Sequence, residues 1–469
     1  MPKKITIIKS GIWYTISNYL IKGMDFLTIP VFTRLLSVNE YGAYNNFVSC
    51  LQVIFVIGSV CIDASLISAR FDYKDKLVPY IKTALICGNI ATLLLGVVSF
   101  FCQKTITTLF SIDSCMMFLI FLYCLFRPSL DVFQQIERFN YHYKVSVAVS
   151  AISSVLSVII SFILIAYMPN KLYARILGAY GPLIVISFIF YCKYIFKKDK
   201  FKAVYAKYAM KICIPYIPHS LAVTILSSTD RIMINYFQST KEVAYYSIAY
   251  TCGIAMSIFA TSLNNAFAPW LGEKINSNSV KGVNNVCRKY IAVFLVPLFF
   301  VSIISPEILL VLGGQKYLAA KYVIPPVIIS CYIQFIYSLF VDVEQFAKRT
   351  AGMAVISVIA AVINIGLNIW FLPGYGYMAA SYTTLISYIC LMLMHYITIC
   401  RIGYKDLYDI KFILLTLAVF GIFVFTMVIF YEMFFVRIFI LTICIFIFLI
   451  VCIKYRNKII LLLKGDSHV

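Results

Sequence analysis

Charged residues inside apolar runs are the places where this sequence could do chemistry. Residues 212–237 form one such run and include His219, Asp230 and Arg231. A charge at the centre of a membrane-spanning helix costs at least ~2.5–3.5 kcal/mol, so such residues usually face a water-filled cavity or a partner. His219 and Asp230 lie about three turns apart, on one helix face. Asp230 and Arg231 point about 100° apart and cannot simply pair with each other. We expect one of them to face a cavity; the alternative is a structural clamp at the next helix corner.

Other apolar runs also contain acids, bases and amides. Asn18, Lys22 and Asp25 recur at i, i+4 and i+7, which places them on one stripe of a helix. Arg127 and Asp131 lie at i, i+4. The alternative interpretation of Lys22 with Asp25, and of Arg127 with Asp131, is an intrahelical ion pair that only holds the bundle together. The remaining polar candidates inside apolar runs are Asp63, Asn264, Asn265, Asn364 and Asn368.

These acids could carry a coupling ion, because intramembrane acids commonly do. Asp25, Asp63 and Asp230 are the candidates to bind a proton or Na⁺, with Arg127 and Asp131 as further gating candidates. The sequence contains no G-x-x-x-x-G-K-[ST] phosphate loop, so a secondary mechanism is expected. The 15 cysteines are scattered singly and the 4 histidines form no ligand cluster, so neither a metal site nor a cofactor is expected.

The elements that position these residues are predicted to be membrane-spanning helices. Of the 469 residues 62% are hydrophobic and 13% are charged, against about 45–50% and about 25% in soluble proteins. A span needs about 20 mostly apolar residues. That length gives fourteen candidate spans, which makes the predicted fold an all-α polytopic membrane protein. The candidates are 10–32, 43–69, 81–102, 116–136, 145–167, 173–196, 212–237, 243–268, 289–312, 322–341, 351–372, 376–400, 411–431 and 435–453.

The basic residues are distributed unevenly between the two sides of these spans. The net charge is +21, which in a soluble protein would suggest nucleic-acid binding. Here the basic residues lie in short gaps between apolar runs. With the N-terminus inside, 29 of the 40 Lys and Arg residues fall on the inner side and 8 on the outer side. The positive-inside rule therefore predicts that both termini are cytoplasmic. The first apolar run lacks a cleavage site and is predicted to be an uncleaved helix.

An internal repeat divides the chain into two parts. "SVNEYGAY" (37–44) matches "STKEVAYY" (239–246) at an offset of 202, and "ERF" (137–139) matches "EQF" (344–346) at an offset of 207. Two matches at equivalent helix ends predict two six-helix bundles in parallel, a transporter architecture with the substrate site between them. The predicted units are a first bundle, a basic cytoplasmic linker, a second bundle, and two extra helices with a basic tail. They cover residues 1–196, 197–211, 212–400 and 401–469.

Three motifs carry a resemblance to a known family. "IPVFTRLLSVNEYGAYN", "IPYIPHSLAVTILSSTDRIMINYFQSTKEVAYYSIAY" and "VINIGLNIWFLPGYGYMAASYTTLISY" occur in this order on fourteen predicted spans. They resemble the polysaccharide-unit flippases, of O-antigen and capsule type, in the multidrug/oligosaccharidyl-lipid/polysaccharide exporter superfamily. The resemblance covers nearly the whole chain. It departs at Val243 and Ala244, where a Gly-Tyr-Ser-like turn is often seen.

The resemblance implies a transporter and not an enzyme. It implies flipping of a polyprenyl-pyrophosphate-linked oligosaccharide from the inner to the outer leaflet of the bacterial cytoplasmic membrane, for lipopolysaccharide or capsule export. The implied partners are this lipid-linked oligosaccharide, membrane lipids and other polysaccharide-assembly membrane proteins. A pyrophosphate needs cations in the cavity, and Lys22 is the leading candidate. The other candidates to line the cavity are Asn18, Arg231, His219, Asn264 and Asn364.

Two other function classes stay open. A cation-coupled multidrug exporter of the same superfamily would be favoured by twelve spans, whereas fourteen favour a lipid-linked substrate. An integral membrane polysaccharide polymerase or acyltransferase would need acid/base or nucleophilic residues on an accessible surface. The predicted outer loops are short, and only Asp113 and Lys316 stand out in them.

Overall fold

The computed structural model describes residues 23, 26–140, 143–277, 279, 282–347 and 351–454. Within these residues the regular elements are all helical. Twelve helices are long and apolar enough to cross a membrane, and two shorter apolar helices, Phe26–Leu35 and one that begins at Phe434, lie at the first and last predicted spans. Helices suit a bilayer because they satisfy their backbone hydrogen bonds internally. The predicted all-α polytopic fold is confirmed.

We refer to helices α1–α8 as the first half and to α9–α16 as the second half. The first half comprises α1 Phe26–Leu35, α2 Val38–Gly58, α3 Ile62–Asp72, α4 Leu77–Phe101, α5 Gln103–Phe110, α6 Ser114–Phe139, α7 Tyr143–Tyr167 and α8 Lys171–Ile195. The second half comprises α9 Ala203–Thr224, α10 Asp230–Phe237, α11 Thr240–Asn276, α12 Val283–Ile303, α13 Ser305–Gly313, α14 Ile324–Phe346, α15 Ala351–Tyr375 and α16 Tyr377–Arg401. Two further helices follow, α17 Ile410–Ile429 and α18 Phe434–Lys454.

Three predicted single spans are interrupted. The span predicted at 43–69 comprises α2 and α3, separated by a turn in which Val60 and Cys61 have positive φ. The span at 289–312 comprises α12 and α13, with Pro306 in the first turn of α13. The span at 212–237 comprises α9 and α10, joined by a π-helical turn over Ile225–Thr229. Each interruption changes the direction in which the following side chains point.

The two copies of the repeat are both helix starts. Ser37 caps α2 in a capping box: its backbone N–H donates to Glu40 Oε2 (2.8 Å), and its Oγ accepts from the Glu40 N–H (3.2 Å). Ser239 caps α11 by different contacts: its Oγ accepts from the Lys241 N–H (3.2 Å), and its hydroxyl donates to the Glu242 carboxylate. A Ser or Thr followed three residues later by Glu satisfies two otherwise unpaired backbone donors. Both copies of the repeat therefore begin a helix at a serine cap with a glutamate three residues later, and only the first forms the full capping box.

These two helix starts meet at one end of the bundle, which we call the distal end. A Cβ at Gly42 would overlap the carbonyl oxygen of Thr240, so α2 and α11 can approach this closely only with glycine there. The Thr33 hydroxyl donates to the Leu312 carbonyl (2.6 Å), and Lys316 Nζ donates to the Leu36 carbonyl (3.2 Å). The two halves are thus joined at the distal end. We call the opposite end, with the Lys- and Arg-rich connections, the basic end.

Helix α9 contacts both halves. It packs against α2, α3 and α4 of the first half and against α15 of the second. Tyr205 and Tyr208 of α9 pack edge-on against Tyr73 and Tyr80 at the basic end of the first half. Helix α17 packs on α12 and α14, and α18 packs on α12.

Candidate functional site

A cavity of about 790 Å³ lies between the two halves. Helices α1, α2, α7 and α8 line one side, and α10 and α11 line the other. Small-molecule sites typically have volumes of about 300–1,000 Å³. Two arginines, Arg175 and Arg231, face this cavity, and no Asp or Glu is among its described lining residues. The rest of the polar and aromatic lining comprises Phe26, Thr28, Phe32, Tyr41, Tyr44, Asn45, Ser154, Ser157, Tyr180, Ser247, Thr251 and Phe259.

Arg231 enters the cavity from the first turn of α10. Its Nε donates to Ser247 Oγ (3.1 Å), and its Nη1 donates to the Ser227 carbonyl (3.0 Å). The guanidinium also lies over the Tyr250 ring, 4.9 Å from the centroid. These partners are neutral, and they hold the cation without neutralising it. A guanidinium has five N–H donors in a fixed fork, which leaves donors free for an anion.

Arg175 enters the cavity from the opposite half. It lies in the second turn of α8, whose start is capped by Asn170. Its Nη1 donates to Ser161 Oγ (2.8 Å), and its guanidinium carbon lies 3.6 Å from the Phe32 ring centroid. Nε is buried and has no hydrogen-bond partner among the described residues.

Arg175 is not among the cavity residues predicted from the sequence. There it is counted only as one of the basic residues on the outer side. Helices α7 and α8 approach closely at Gly178, where a Cβ would overlap Ser161. This approach brings the Ser161 hydroxyl to Arg175 and turns the arginine inward. The only signal in the sequence was an arginine four residues into an otherwise apolar run, "KLYARILGAYG".

Asp230 faces away from the cavity and into the second half. It is only 1% exposed. Its Oδ1 accepts a hydrogen bond from Asn368 Nδ2 (2.7 Å), and its Oδ2 accepts from the Thr384 and Tyr246 hydroxyls (both 2.6 Å). These three donors come from α15, α16 and α11. The neighbours Asp230 and Arg231 therefore point to different sides of α10, as their helical spacing predicts.

A second ring of hydrogen bonds surrounds the Asp230 carboxylate. Thr383 Oγ1 donates to Asn368 Oδ1 (2.5 Å), and Asn364 Nδ2 donates to Thr384 Oγ1 (3.1 Å). Asn364 and Asn368 are both fully buried. The network is composed of neutral donors around one acid, and their hydrogen bonds stabilise the buried carboxylate.

The other sequence candidates lie apart from the cavity lining. Arg127 and Asp131 form an i, i+4 ion pair on α6, with Nη2 2.8 Å from Oδ1. Asp63 lies in the first turn of α3, a helix that packs against α6. His219 on α9 has a buried Nδ1 without a hydrogen-bond partner in the described part of the chain, and Asn264 on α11 has such an Oδ1. Asn18, Lys22 and Asp25 lie outside the described residues, although Gly23 lines the cavity.

Two family models match the chain. The model described as "Polysaccharide biosynthesis protein" matches residues 7–274. The model named MatE matches residues 215–370. The first match includes the whole first half, the linker and both arginines, and the second includes α10 and most of α15.

Two curated relatives come from Haemophilus influenzae (strain ATCC 51907 / DSM 11121 / KW20 / Rd). One, called "Uncharacterized membrane protein", is 23% identical over 375 residues, which cover 77% of this chain and 89% of the relative. The other, "Lsg locus putative protein 1", is 20% identical over 370 residues, which cover 76% of this chain and 90% of the relative.

Solved structures show the same fold. The lipid II flippase MurJ in an inward closed conformation is similar with a TM-score of 0.71 and 17% identity, over 96% of this chain and all of that chain. An inward-facing multidrug resistance MATE family transporter of the MOP superfamily is similar with a TM-score of 0.62 and 13% identity, over 80% of this chain and 94% of that chain. Both are transporters or flippases.

Proposed function

The chain belongs to the polysaccharide biosynthesis protein family, and from this premise we propose that it moves a polyprenyl-pyrophosphate-linked oligosaccharide from the inner to the outer leaflet. The observation that carries the proposal is the cavity between the halves, with Arg175 and Arg231 on opposite walls and no acid among its described lining. Such a cavity attracts an anion. It repels the organic cations that a carboxylate-lined cavity would bind.

The chemistry of a pyrophosphate headgroup matches these two arginines. Charge-assisted hydrogen bonds from guanidinium to phosphate are about twice as strong as neutral ones and are often bidentate. Each arginine is oriented by hydroxyl groups and aromatic rings, so it is already positioned before the ligand arrives. Lys22 is proposed as a third cation, since its neighbour Gly23 lines the same cavity.

The remaining lining suits the sugar portion of the substrate. Tyr41, Tyr44 and Tyr180 offer aromatic faces, while Asn45 and several hydroxyl side chains offer donors and acceptors. Only the headgroup, which comprises the pyrophosphate and the sugars, needs to be enclosed, because the polyprenyl tail can remain in the hydrocarbon core of the membrane. We propose that the protein transports this substrate and performs no covalent chemistry on it.

We place the protein in the bacterial cytoplasmic membrane with the basic end and both termini inside. The charge asymmetry of the sequence supports this orientation. The contacts between Thr33 and Leu312 and between Lys316 and Leu36 then close the outer side. In this state the cavity would receive its substrate from the cytoplasmic side. Opening those contacts would release it outside.

Transport against a gradient needs an energy source, and we assign coupling to Asp230. It is a fully buried acid held by three neutral donors, next to an arginine that faces the substrate. Binding or release of a proton or Na⁺ there would change the charge of α10 at its junction with the π-helical turn. Asp63 and the Arg127–Asp131 pair are proposed as secondary gating groups in the first half.

The test is the identity and location of the lipid intermediate in a deletion strain. We expect complete polyprenyl-linked oligosaccharide units to accumulate on the cytoplasmic leaflet, and mass analysis of that lipid would identify the sugar. Complementation with the wild-type gene should clear them. Accumulation of single units on the outer leaflet would instead indicate a polymerase, and no accumulation would contradict the proposal.

A multidrug exporter is the second candidate, because the MatE model matches part of the second half. It predicts that the purified protein exports organic cations such as ethidium from loaded vesicles. The two arginines make this outcome less favourable, since a cation would enter a positively charged cavity. Cation export with no accumulated lipid in the deletion strain would favour the exporter.

A further inference from the structure

Arg34 and Lys316 lie where the two halves meet at the distal end, a region that we call the distal contact. Arg34 Nη2 donates to the Val311 carbonyl in the last turn of α13 (3.2 Å). Lys316 Nζ donates to the carbonyl of Leu36, the residue after α1 (3.2 Å). Carbonyls at the end of a helix lack an intrahelical partner, and a cation is favoured beside them. The two cations therefore join the halves through neutral backbone oxygens.

Lys171 lies beside the distal contact, at the first residue of α8. Its Nζ is 3.4 Å from the Leu35 carbonyl of α1, in the same half. Because the helix dipole disfavours a cation in the first turn, Lys171 does not serve the stability of α8. It lies four residues before Arg175, which places it on the same side of α8 and about 6 Å nearer the distal end. The two residues therefore form successive positive positions between the cavity and the outer side.

Arg34, Lys171 and Lys316, which we call the distal cations, are exposed and lack a counter-charge. Among the described residues none of them forms an ion pair. By contrast, Lys321 and Arg437 on the same side are each paired with a glutamate. Carbonyl oxygens accept hydrogen bonds from a cation but do not neutralise its charge. The distal cations thus form a positive cluster that attracts anions.

A layer of tyrosines separates the distal cations from the cavity. Tyr41 and Tyr245 both pack edge-on against Tyr317, with ring centroids 6.0 Å apart. Tyr41 lines the cavity, and Tyr317 directly follows Lys316. The Tyr317 hydroxyl is buried and has no hydrogen-bond partner in the described part of the chain. A buried hydroxyl without a partner costs free energy, and that cost is relieved when the layer opens to water.

We propose that the distal cations bind the diphosphate of the departing substrate when the distal contact opens. Their donors then exchange carbonyl oxygens for phosphate oxygens, and such charge-assisted hydrogen bonds are about twice as strong as neutral ones. In the closed state Arg34 and Lys316 are held by carbonyls of the other half. The diphosphate therefore binds the open state better and shifts the population towards it. The inference rests on the proposed function, to which it adds an outer binding step, but it can be tested without the lipid.

The experiment measures the separation of the two halves at the distal end while inorganic pyrophosphate is added. Spin labels replace Tyr167 at the end of α7 and Tyr375 at the end of α15, which are 84% and 75% exposed, on a background without native cysteines. The full-length protein is studied in phosphatidylcholine nanodiscs, with the ionic strength held constant by potassium chloride. We expect the fraction of long label distances to rise with the pyrophosphate concentration and to saturate. No rise would overturn the proposal.

Lys171→Gln is the most informative variant, because its removal leaves every contact between the halves in place. The pyrophosphate concentration at half saturation should rise about 10- to 150-fold, which corresponds to the loss of one charge-assisted hydrogen bond. Lys171→Arg should recover part of this loss. Lys104→Gln is the matched control, since it removes an exposed lysine of α5 at the same end. Its half saturation should equal that of the parent protein.

The double variant Arg34→Gln/Lys316→Gln tests the two cations that bridge the halves. Without their contacts, long distances should be populated before pyrophosphate is added. Pyrophosphate should then change the distances little, because two of its three cations are missing. A response equal to that of the parent protein would overturn the proposal.

Two further samples identify the source of the phosphate. A short-chain polyprenyl pyrophosphate should open the distal contact as inorganic pyrophosphate does, whereas nanodiscs that contain phosphatidylglycerol should not open it by themselves. Opening by phosphatidylglycerol, an unchanged half saturation in Lys171→Gln, or an equal rise in Lys104→Gln would each overturn the proposal. A deletion strain without accumulated lipid would contradict the proposed function and leave this measurement unaffected, so the two failures are distinguishable.

Discussion

Two polar regions meet on α10, and they differ in almost every physical respect. Arg231 faces the cavity of about 790 Å³ that both halves share, and it keeps donors free. Asp230, the preceding residue, is enclosed by the second half, and each of its oxygens accepts hydrogen bonds. An open cation with neutral partners is suited to bind an anion that comes and goes. A closed acid with neutral donors is suited to bind a small ion. Binding there would change the packing of the helices that supply the donors.

The largest loss of stability is expected when the enclosed acid is removed. Asp230→Ala leaves the donors on Asn368, Thr384 and Tyr246 without their acceptor. Because each unsatisfied buried donor costs about 1–3 kcal/mol, we expect the free energy of unfolding to fall by about 3 kcal/mol or more. Denaturant unfolding of the purified protein in detergent would measure it. Arg231→Ala is the matched control and should cost clearly less, and equal losses would contradict the difference between the regions.

Removing the open cations should affect binding far more than folding. Arg175→Ala and Arg231→Ala should each lose the ~1.5–3 kcal/mol of a charge-assisted hydrogen bond, which is about 10- to 150-fold in affinity for the pyrophosphate headgroup. Lysine at either position should recover part of the loss. Isothermal titration with a short-chain polyprenyl pyrophosphate is the measurement. Arg127→Ala is the control, because Arg127 is already paired with Asp131 and is not part of the lining.

The smallest effect is expected at the edge of the enclosed network. Thr383 donates to Asn368 and not to Asp230 itself. Thr383→Val should therefore destabilise the protein by only about 0.5–1.5 kcal/mol, while Thr384→Val, which removes a direct donor, should cost more. A graded series would show that the stabilisation is centred on Asp230. If the two valine variants cost the same, the network has no such centre.

The positions of twelve spans could be predicted from the sequence, because each needs about 20 mostly apolar residues of its own. The turn between α2 and α3 could not. Val60 has φ 53°, a conformation that is rare for a β-branched residue. The Gly58 carbonyl there is satisfied by the Thr92 hydroxyl (2.8 Å) from another helix. A partner supplied from a distant helix leaves no local pattern in the sequence.

The candidate site was predictable only in part for the same reason. Asp230, Arg231 and Asn364 stood out because polar residues are rare in apolar runs. Asp230 and Asn364 belong to the buried network, whereas Arg231 lines the cavity. Which side each residue faces depends on the rotation of α10 about its axis relative to α11, α15 and α16. Arg175 was hidden by its position near a helix end, where a basic residue is ordinary. Its role follows from the close approach of α7 and α8 at Gly178.

The central claim is that the open cations bind the headgroup while the enclosed acid drives the cycle. It is tested most directly by measuring headgroup binding and lipid flipping separately, in reconstituted vesicles, for Arg231→Ala and Asp230→Asn. We predict that Arg231→Ala loses binding by about 10- to 150-fold. We predict that Asp230→Asn binds nearly as the wild type does but flips more slowly or with altered pH dependence. Normal binding in Arg231→Ala, or normal flipping in Asp230→Asn, would contradict the account.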